Sequence, residues 1–163
     1  METEYLKQKF NFCKDIPWDI VIDKIAYEYE NKTQKVVTDQ GGKLPPTFVL
    51  HAHYLPGKLQ KIYDRVNKKW RTHFTSIRNS VPTLWQKESL VMHVYTSLGA
   101  NSVTFGRHCD EDPVLIIQSV GKMIYKIDGI DPIEFNPGDG ILIPAGVYHT
   151  PYVLEPRITL SFS

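Results

Sequence analysis

Residues 113–127 read PVLIIQSVGKMIYKI, two runs of β-branched, aliphatic and aromatic residues that meet at Gly121. Runs of this composition and length favour β-strands, and a glycine between them favours a sharp change of direction. We therefore predict one strand over 113–119 and a second over 121–127.

A two-residue periodicity extends outward from this pair and begins near residue 88. It predicts further strands near the following ranges: 90–97, 102–108, 133–135, 140–143, 148–154 and 157–163. Gly99, the pair Asp128-Gly129 and the run NPGDG at 136–140 supply turn residues between them. Eight short strands without helical crossovers predict a mainly β fold, a closed antiparallel sandwich or jelly roll.

The N-terminal part, residues 1–87, has a different, helical character. Apolar residues recur at loosely helical spacing in 2–12, 18–30 and 57–70, with a Gly- and Pro-rich loop at 38–46. In the second of these segments the apolar stripe consists of Trp18, Ile20, Val21, Ile25, Ala26 and Tyr29. We expect these helices to pack outside the barrel of residues 88–163, so that 1–163 form a single domain.

Composition limits the functional classes. The net charge of +1 in 163 residues gives no bulk attraction to nucleic acid or an anionic membrane, and the basic stretch 58–71 is interpreted as a solvated helix face. Two distant cysteines, Cys13 and Cys109, are typical of a reducing compartment. With no apolar signal segment at the N-terminus and no membrane-length apolar run, we expect a cytoplasmic protein of undetermined oligomeric state.

A metal site is predicted from three side chains. His108 and Asp110 stand two residues apart, so on a strand both project from the same face. His149 follows a Gly-rich turn, an apolar strand and a Pro-x-Gly turn at 138–146, which directs it to the barrel mouth. Two imidazoles and one carboxylate form the facial triad of non-haem Fe(II) oxygenases, which leaves coordination positions open.

These stretches resemble a known family. The pattern Gly138-(x5)-Pro144-x-Gly146-(x2)-His149 is similar to the second cupin motif, except that Val153 stands at its final Asn position. The run HCDEDPVLIIQSVGKMIYKI resembles the HxD segment of JmjC-type 2-oxoglutarate oxygenases. The resemblance covers residues 90–163 and implies a double-stranded β-helix that binds Fe(II) and 2-oxoglutarate and hydroxylates or demethylates a protein side chain, RNA or a small molecule.

The chain departs from this family at one position. JmjC-type enzymes often place the basic partner of the 2-oxoglutarate carboxylate two residues after the glycine, where this chain has Met123. Many other 2-oxoglutarate oxygenases place an arginine at the start of the last strand, and Arg157 stands there. The resemblance therefore implies Arg157 as the co-substrate ligand.

Other residues are weighed as helpers or as structural side chains. Thr159 shares the face of Arg157 on the last strand, and Lys122 and Lys126 are the basic alternatives to it. The hydroxyls of Tyr95 and Tyr125 either bind a carboxylate or are ordinary core groups. A metal pair at His51-x-His53 lacks a supporting carboxylate, and His93 is interpreted as a packed or hydrogen-bonded core histidine.

Two alternatives to a 2-oxoglutarate oxygenase stay open from the sequence. One is a cupin metalloenzyme that does not use 2-oxoglutarate, such as a small-molecule dioxygenase or an isomerase. The other is a non-catalytic cupin that binds a metal or a ligand. The primary substrate is not predicted by any of the motifs.

Overall fold

Two antiparallel sheets face each other and enclose the predicted metal residues. The computed structural model describes residues 2–51, 57–78 and 90–163, with the side chains of 70–78 not described. Within these ranges two α-helices are present, α1 (Trp18–Glu30) and α2 (Gly57–Arg78), with a 3-10 turn at Asn11–Cys13. The strands are β1 (Glu4–Leu6), β2 (Lys35–Val37), β3 (Thr47–His51), β4 (Met92–Ser97), β5 (Val114–Val120), β6 (Met123–Ile127), β7 (Ile133–Phe135), β8 (Gly140–Ile143), β9 (His149–Val153) and β10 (Arg157–Phe162).

The chain alternates between the two sheets. The large sheet has the order β1-β8-β5-β10-β4-β3-β2, and the small sheet has the order β7-β6-β9. From β5 onward the chain crosses to β6 and β7, returns to β8, crosses to β9 and returns to β10. This alternation is a double-stranded β-helix, so the predicted fold class is confirmed.

Gly121 makes the first of these crossings possible. It has a φ of +74°, and a Cβ at this position would overlap the backbone carbonyl oxygen of Pro156. A side chain is therefore excluded by both the conformation and the space. The predicted glycine between two strands is the point where the chain passes from one sheet to the other.

Two apolar clusters hold the layers together. One lies between the large sheet and the helices, where Leu59, Ile62 and Val66 of α2 are buried together with strand residues such as Leu160 and Phe162. The second lies between the sheets, and its residues are Val114, Ile116, Met123, Tyr125, Ile127, Phe135, Ile141, Ile143 and Val153. The predicted helices therefore pack outside the sheets, whereas the second cluster and the site share the interior between the sheets.

The prediction for the N-terminal part is wrong in two respects. Residues 2–12 are not a helix, because the segment contains β1 and the start of the 3-10 turn, and β1 pairs with β8. Strands β2 and β3 also belong to the large sheet, next to β4. These strands have three to five residues and gain their stability from their tertiary partners, which a local pattern does not show.

The buried face of α1 also differs from the predicted stripe. Val21 is fully buried, but Ala26 and Tyr29 are exposed. The other buried positions are Lys24 and Glu28, which form an ion pair of 3.3 Å. Two opposite charges can be buried together when they lie close to each other. From the helical pattern alone, the positions of this pair are predicted to be polar surface.

The predicted strand at 102–108 is not formed. Asn101 and Gly106 have φ values of +57° and +71°, which interrupt an extended conformation. The segment is instead bonded to β9, because the hydroxyl of Thr104 donates to the carbonyl of Pro151 at 3.0 Å and His108 forms a single β-bridge with His149.

No described helix has the length and apolar character needed to cross a membrane.

Candidate metal centre

The three predicted ligands converge at one end of the space between the sheets. The ligand atoms of His108, Asp110 and His149 lie within 4.8 Å of one another. The Nε2 atom of His149 is 3.6 Å from Oδ2 of Asp110, and the two imidazole centroids are 4.3 Å apart. Three ligands on one face of an ion, each with a bond of about 2.1 Å, lie about 3 Å apart, so side-chain movements of about 1–2 Å would allow all three to share one cation.

Both imidazoles are oriented by hydrogen bonds on the nitrogen that faces away from the site. Nδ1 of His108 is 2.9 Å from the carbonyl oxygen of Gly106, and Nδ1 of His149 is 3.1 Å from that of Val147. A carbonyl partner requires Nδ1 to carry the proton, which leaves the Nε2 lone pair as the coordinating group. The donor set of two neutral imidazoles and one carboxylate therefore fits a divalent transition-metal ion.

Backbone hydrogen bonds keep the segments that carry the ligands together. The amide of His108 donates to the carbonyl of His149 at 3.0 Å, and the amide of His149 donates back at 2.8 Å. The amide of Gly146 donates to the carbonyl of Asp110 at 2.9 Å. The Pro-x-Gly turn before His149 thus contacts the HxD segment directly, which explains why two distant motifs form one site.

Electrostatics favour the neutral form of the buried histidine. Burial lowers the pKa of His149 and the nearby His108 acts in the same direction, against the opposing effects of the Val147 carbonyl and Asp110. Asp110 itself is more accessible, with 38% of its side chain exposed. The site therefore has one buried neutral ligand and one carboxylate that borders solvent.

A cavity of about 170 Å³ adjoins the three residues. Its wall includes all three candidate ligands together with Arg157. The other lining residues are Val37, Thr47, His93, Tyr95, Thr104, Phe105, Val114, Ile116, Tyr125, Pro151, Ser161 and Ser163. A metal-ligand set and a buried guanidinium thus share a single cavity.

Arg157 is buried at the far end of this cavity, with an exposed fraction of 3%. Nε donates to the hydroxyl of Ser97 at 3.0 Å, while Nη1 lies 3.2 Å from Oγ1 of Thr159 and 2.9 Å from the sulfur of Met123. Burial lowers the pKa of Arg157, with Tyr125 and Tyr95 opposing it, although a guanidinium stays charged. Among the described residues no carboxylate pairs with this buried cation.

The predicted helper Thr159 is part of a hydrogen-bonded support for Arg157. Its hydroxyl donates to Oε1 of Gln118 at 2.7 Å, which leaves its lone pairs directed to the guanidinium. The amide group of Gln118 is held by the carbonyls of Val120 and Gly121, at 2.8 and 3.1 Å. Sequence reasoning missed Gln118 and Ser97, although both lie on the inward-facing phase of their strands.

The remaining predicted residues fall into two groups. Tyr95 and Tyr125 line the cavity, and burial raises the pKa of Tyr95 to about 12 and raises that of Tyr125. Lys122 and Lys126 are exposed and do not line it, and the ammonium of Lys126 lies 4.9 Å from the Tyr152 ring. The geometry thus favours Arg157 over either lysine as an anion ligand in the cavity.

Of the remaining histidines whose side chains the structure describes, His51 and His93, neither belongs to the metal cluster. His53 lies outside the described residues. His51 and His93 pair across β3 and β4 with ring centroids 5.5 Å apart, and of these two only His93 lines the cavity. His93 is packed against the rings of His51 and Tyr95, as the sequence predicts, and it also borders the cavity.

Comparison with known proteins identifies the fold. Neither the protein-family models nor the curated proteins contain a match to this chain. Among solved structures, YcfD, a ribosomal oxygenase from Escherichia coli in complex with cobalt and 2-oxoglutarate, aligns with a TM-score of 0.63 and 22% identity, over 99% of this chain and 48% of that one. The same protein in complex with cobalt and succinic acid aligns with a TM-score of 0.60 and 22% identity, over 99% and 48% of the two chains.

This likeness extends over nearly the whole chain, including the N-terminal part that the sequence motifs did not cover. The chain spans about half the length of YcfD. At 22% identity the comparison shows the architecture. In its fold, the chain is a double-stranded β-helix with the same arrangement as the ribosomal oxygenase YcfD.

Proposed function

We propose that this chain is an Fe(II)- and 2-oxoglutarate-dependent oxygenase of the hydroxylase type. In this proposal His108, Asp110 and His149 hold the iron, and Arg157 binds the distal carboxylate of 2-oxoglutarate. The observation that carries it is the presence, in one cavity, of a three-ligand set and a buried guanidinium without a carboxylate partner among the described residues.

Burial of the charged Arg157 side chain costs free energy. A buried cation without an opposite charge is expensive, and neutral hydrogen-bond acceptors offset this cost only in part. Ser97 and Thr159 hold the guanidinium in place but supply no negative charge. A dicarboxylate that reaches from the metal to Arg157 supplies that charge and suits the fork of a guanidinium.

The remaining groups have simple roles in this scheme. When bound, Fe(II) and 2-oxoglutarate supply the oxidative chemistry: 2-oxoglutarate, dioxygen and the substrate R–H become succinate, carbon dioxide and R–OH. Gly106 and Val147 keep the two imidazoles in the coordinating tautomer. Gln118 and Thr159 position Arg157, and the hydroxyls of Tyr95 and Tyr125 line the path between the two ends of the cavity.

Binding and turnover of the co-substrate test the proposal. We expect Mn(II)-loaded protein to bind 2-oxoglutarate in calorimetry, and protein with Fe(II) and ascorbate to form succinate. Arg157→Met should weaken 2-oxoglutarate binding by about 100-fold while the metal affinity is unchanged. Lys126→Met is the matched control, because that lysine is exposed on the outside of the small sheet.

Each contrary result has a definite meaning. A metal-loaded protein that does not bind 2-oxoglutarate would refute the proposal in favour of a cupin metalloenzyme of another type. Failure to bind any divalent metal would leave a non-catalytic cupin. Since YcfD is a ribosomal oxygenase, ribosomal proteins are the first substrates to test for this chain.

A further inference from the structure

At the end of the cavity opposite to Arg157 lie two polar side chains, His93 and Ser161, that are neither candidate metal ligands nor candidate co-substrate ligands. Arg157, Thr159 and Ser161 share one face of β10, and Ser161 lies four residues from Arg157, about 13 Å along the strand. His93 on β4 is the direct partner of Ser161 in the register. Both residues line the cavity, so they mark an end opposite to the guanidinium.

Among the described residues, the polar side-chain atoms at this end have no hydrogen-bond partner. The ring of His93 contacts His51 and Tyr95, at centroid distances of 5.5 and 6.4 Å, but forms no hydrogen bond with any described residue. The side chain of Ser161 likewise forms none within the described ranges. By contrast, the polar side chains at the opposite end, such as Thr159 and Gln118, are bonded to one another.

An aromatic wall connects this polar end with the metal residues. The ring of Tyr95 lies 6.1 Å from that of Phe105 at an angle of 87°, and Phe105 lies 5.9 Å from the ring of His108. Phe105 is 44% exposed, so one of its sides is open to solvent. A flat or apolar group that enters the cavity would pass along this wall toward the triad.

Charge restricts what this end can accept. Among the described lining residues, Asp110 and Arg157 are the ones with a permanent charge. Lys35 approaches from outside, with its ammonium 5.5 Å from the Phe105 ring, but it does not line the cavity. With iron and 2-oxoglutarate bound, Fe(II) and Arg157 contribute three positive charges. Asp110 and the two carboxylates of 2-oxoglutarate contribute three negative charges and balance them. A charged substrate group would therefore enter without a counter-ion.

We propose that His93 and Ser161 form the subsite for the primary substrate, and that this subsite takes an uncharged, hydrogen-bonding group such as a carboxamide or a neutral imidazole. The imidazole and the hydroxyl each offer a donor and an acceptor to such a group. Tyr95 and Phe105 cover its apolar face. This inference rests on the proposed function, since it takes the metal and co-substrate residues as already engaged.

The test uses four small probes and the protein loaded with Mn(II) and 2-oxoglutarate. The probes are the N-acetyl methylamides of asparagine, histidine, lysine and aspartate, at pH 8, and the measurement is the relaxation that Mn(II) causes in their side-chain protons. We expect the asparagine and histidine probes to relax at least about tenfold more strongly than the charged pair. Equal relaxation of all four probes, or a preference for a charged one, would overturn the proposal.

Two histidine variants provide a matched comparison. His93→Leu should remove the preference for the neutral probes, whereas His51→Leu, an identical change to a neighbouring ring outside the cavity, should retain it. His93→Gln keeps a neutral hydrogen-bonding group and should retain most of the signal. This variant shows whether a loss of signal in His93→Leu comes from the missing hydrogen-bonding group or from a folding defect. Loss of signal in His51→Leu as well, or none in His93→Leu, would show that His93 does not form the subsite.

The same samples separate the two proposals. Water-proton relaxation reports Mn(II) binding, and calorimetry reports 2-oxoglutarate binding. If either fails, the proposed function is wrong. If both succeed and the neutral probes show no relaxation, the function stands and the subsite is wrong.

Discussion

The guanidinium of Arg157 lies against the sulfur of Met123, with Nη1 2.9 Å from Sδ. Met123 occupies the position where the resembling JmjC-type enzymes often carry their basic residue, and Arg157 comes from the last strand of the other sheet. The two side chains are therefore in direct contact, and of the two Arg157 lines the cavity. Under the proposed function Arg157 takes the role of that basic residue, so position 123 does not need a cation.

The contact between Arg157 and Met123 predicts that the basic residue can be moved from position 157 to position 123. Arg157→Met should weaken 2-oxoglutarate binding, and a second change, Met123→Arg, should restore at least about a tenth of the lost affinity, because the charge returns to the same end of the cavity. Calorimetry on Mn(II)-loaded protein measures both steps. A double variant as weak as Arg157→Met alone would show that the two positions do not serve one carboxylate.

Removal of one candidate ligand should weaken metal binding without unfolding the protein. His108→Ala leaves one imidazole and one carboxylate, so we expect Mn(II) or Fe(II) affinity to fall by at least about 100-fold with no loss of the folded state. Metal titration followed by thermal unfolding checks both parts. His51→Leu is the control, and equal metal affinity in His108→Ala and the wild type would exclude His108 as a ligand.

Asp139 should stabilise the attachment of the N-terminal segment. Its carboxylate accepts hydrogen bonds from the Tyr5 hydroxyl and from the amides of Gln8 and Asn136, each at 2.9 Å. Asp139→Asn should lower the free energy of unfolding by about 1–3 kcal/mol, measured by denaturant titration at neutral pH. The exposed Asp131→Asn is the control.

The effect of Asp139 should depend on pH in a defined direction. Burial acts to raise its pKa, but the hydrogen bonds from Asn136, Gln8 and Tyr5 hold the pKa below the ordinary 3.8. A lowered pKa in the folded state contributes stability that is fully present above about pH 3.8 and is lost as the pH falls through the folded value. The stability difference between wild type and Asp139→Asn should therefore shrink in acid, and a difference that grows there would contradict this account.

Packing of the N-terminal segment on the barrel gives a further prediction. A Cβ on Gly140 would overlap the ring of Phe10, which is fully buried. Gly140→Ala should therefore cost about 1–3 kcal/mol of unfolding free energy. Gly41→Ala, where a Cβ meets only the flexible side chain of Lys43 at 3.5 Å, should be near neutral in the same denaturant titration. A smaller cost at Gly140 than at Gly41 would contradict this packing.

The parts of the fold that were predictable from sequence are those with strong local patterns. Strands β5 and β6 are apolar runs around Gly121, and α1 and α2 have helical spacing, so all four were expected. The spacing of His108 and Asp110 and the turn before His149 likewise predicted three groups that do converge. In each case the deciding information lies within a few neighbouring residues.

The missed parts depend on distant partners. Strand β1 has three residues, and its pairing with β8 spans more than a hundred positions. The segment 102–108 has a strand-like composition. The positive φ of Gly106 and the hydrogen bond from the Thr104 hydroxyl to the Pro151 carbonyl bend it over the cavity instead. Gln118 and Ser97 are unremarkable in the sequence, and their role becomes visible only through the hydrogen bonds that hold Thr159 and Arg157.

The central claim is that two imidazoles and one carboxylate share a single metal ion beside Arg157. Anomalous diffraction from a crystal grown with Mn(II) and 2-oxoglutarate measures this directly. We predict one peak about 2.1 Å from Nε2 of His108, Nε2 of His149 and a carboxylate oxygen of Asp110, with the distal carboxylate of 2-oxoglutarate on Arg157. A peak at any other residues, or a co-substrate carboxylate held away from Arg157, would contradict the account.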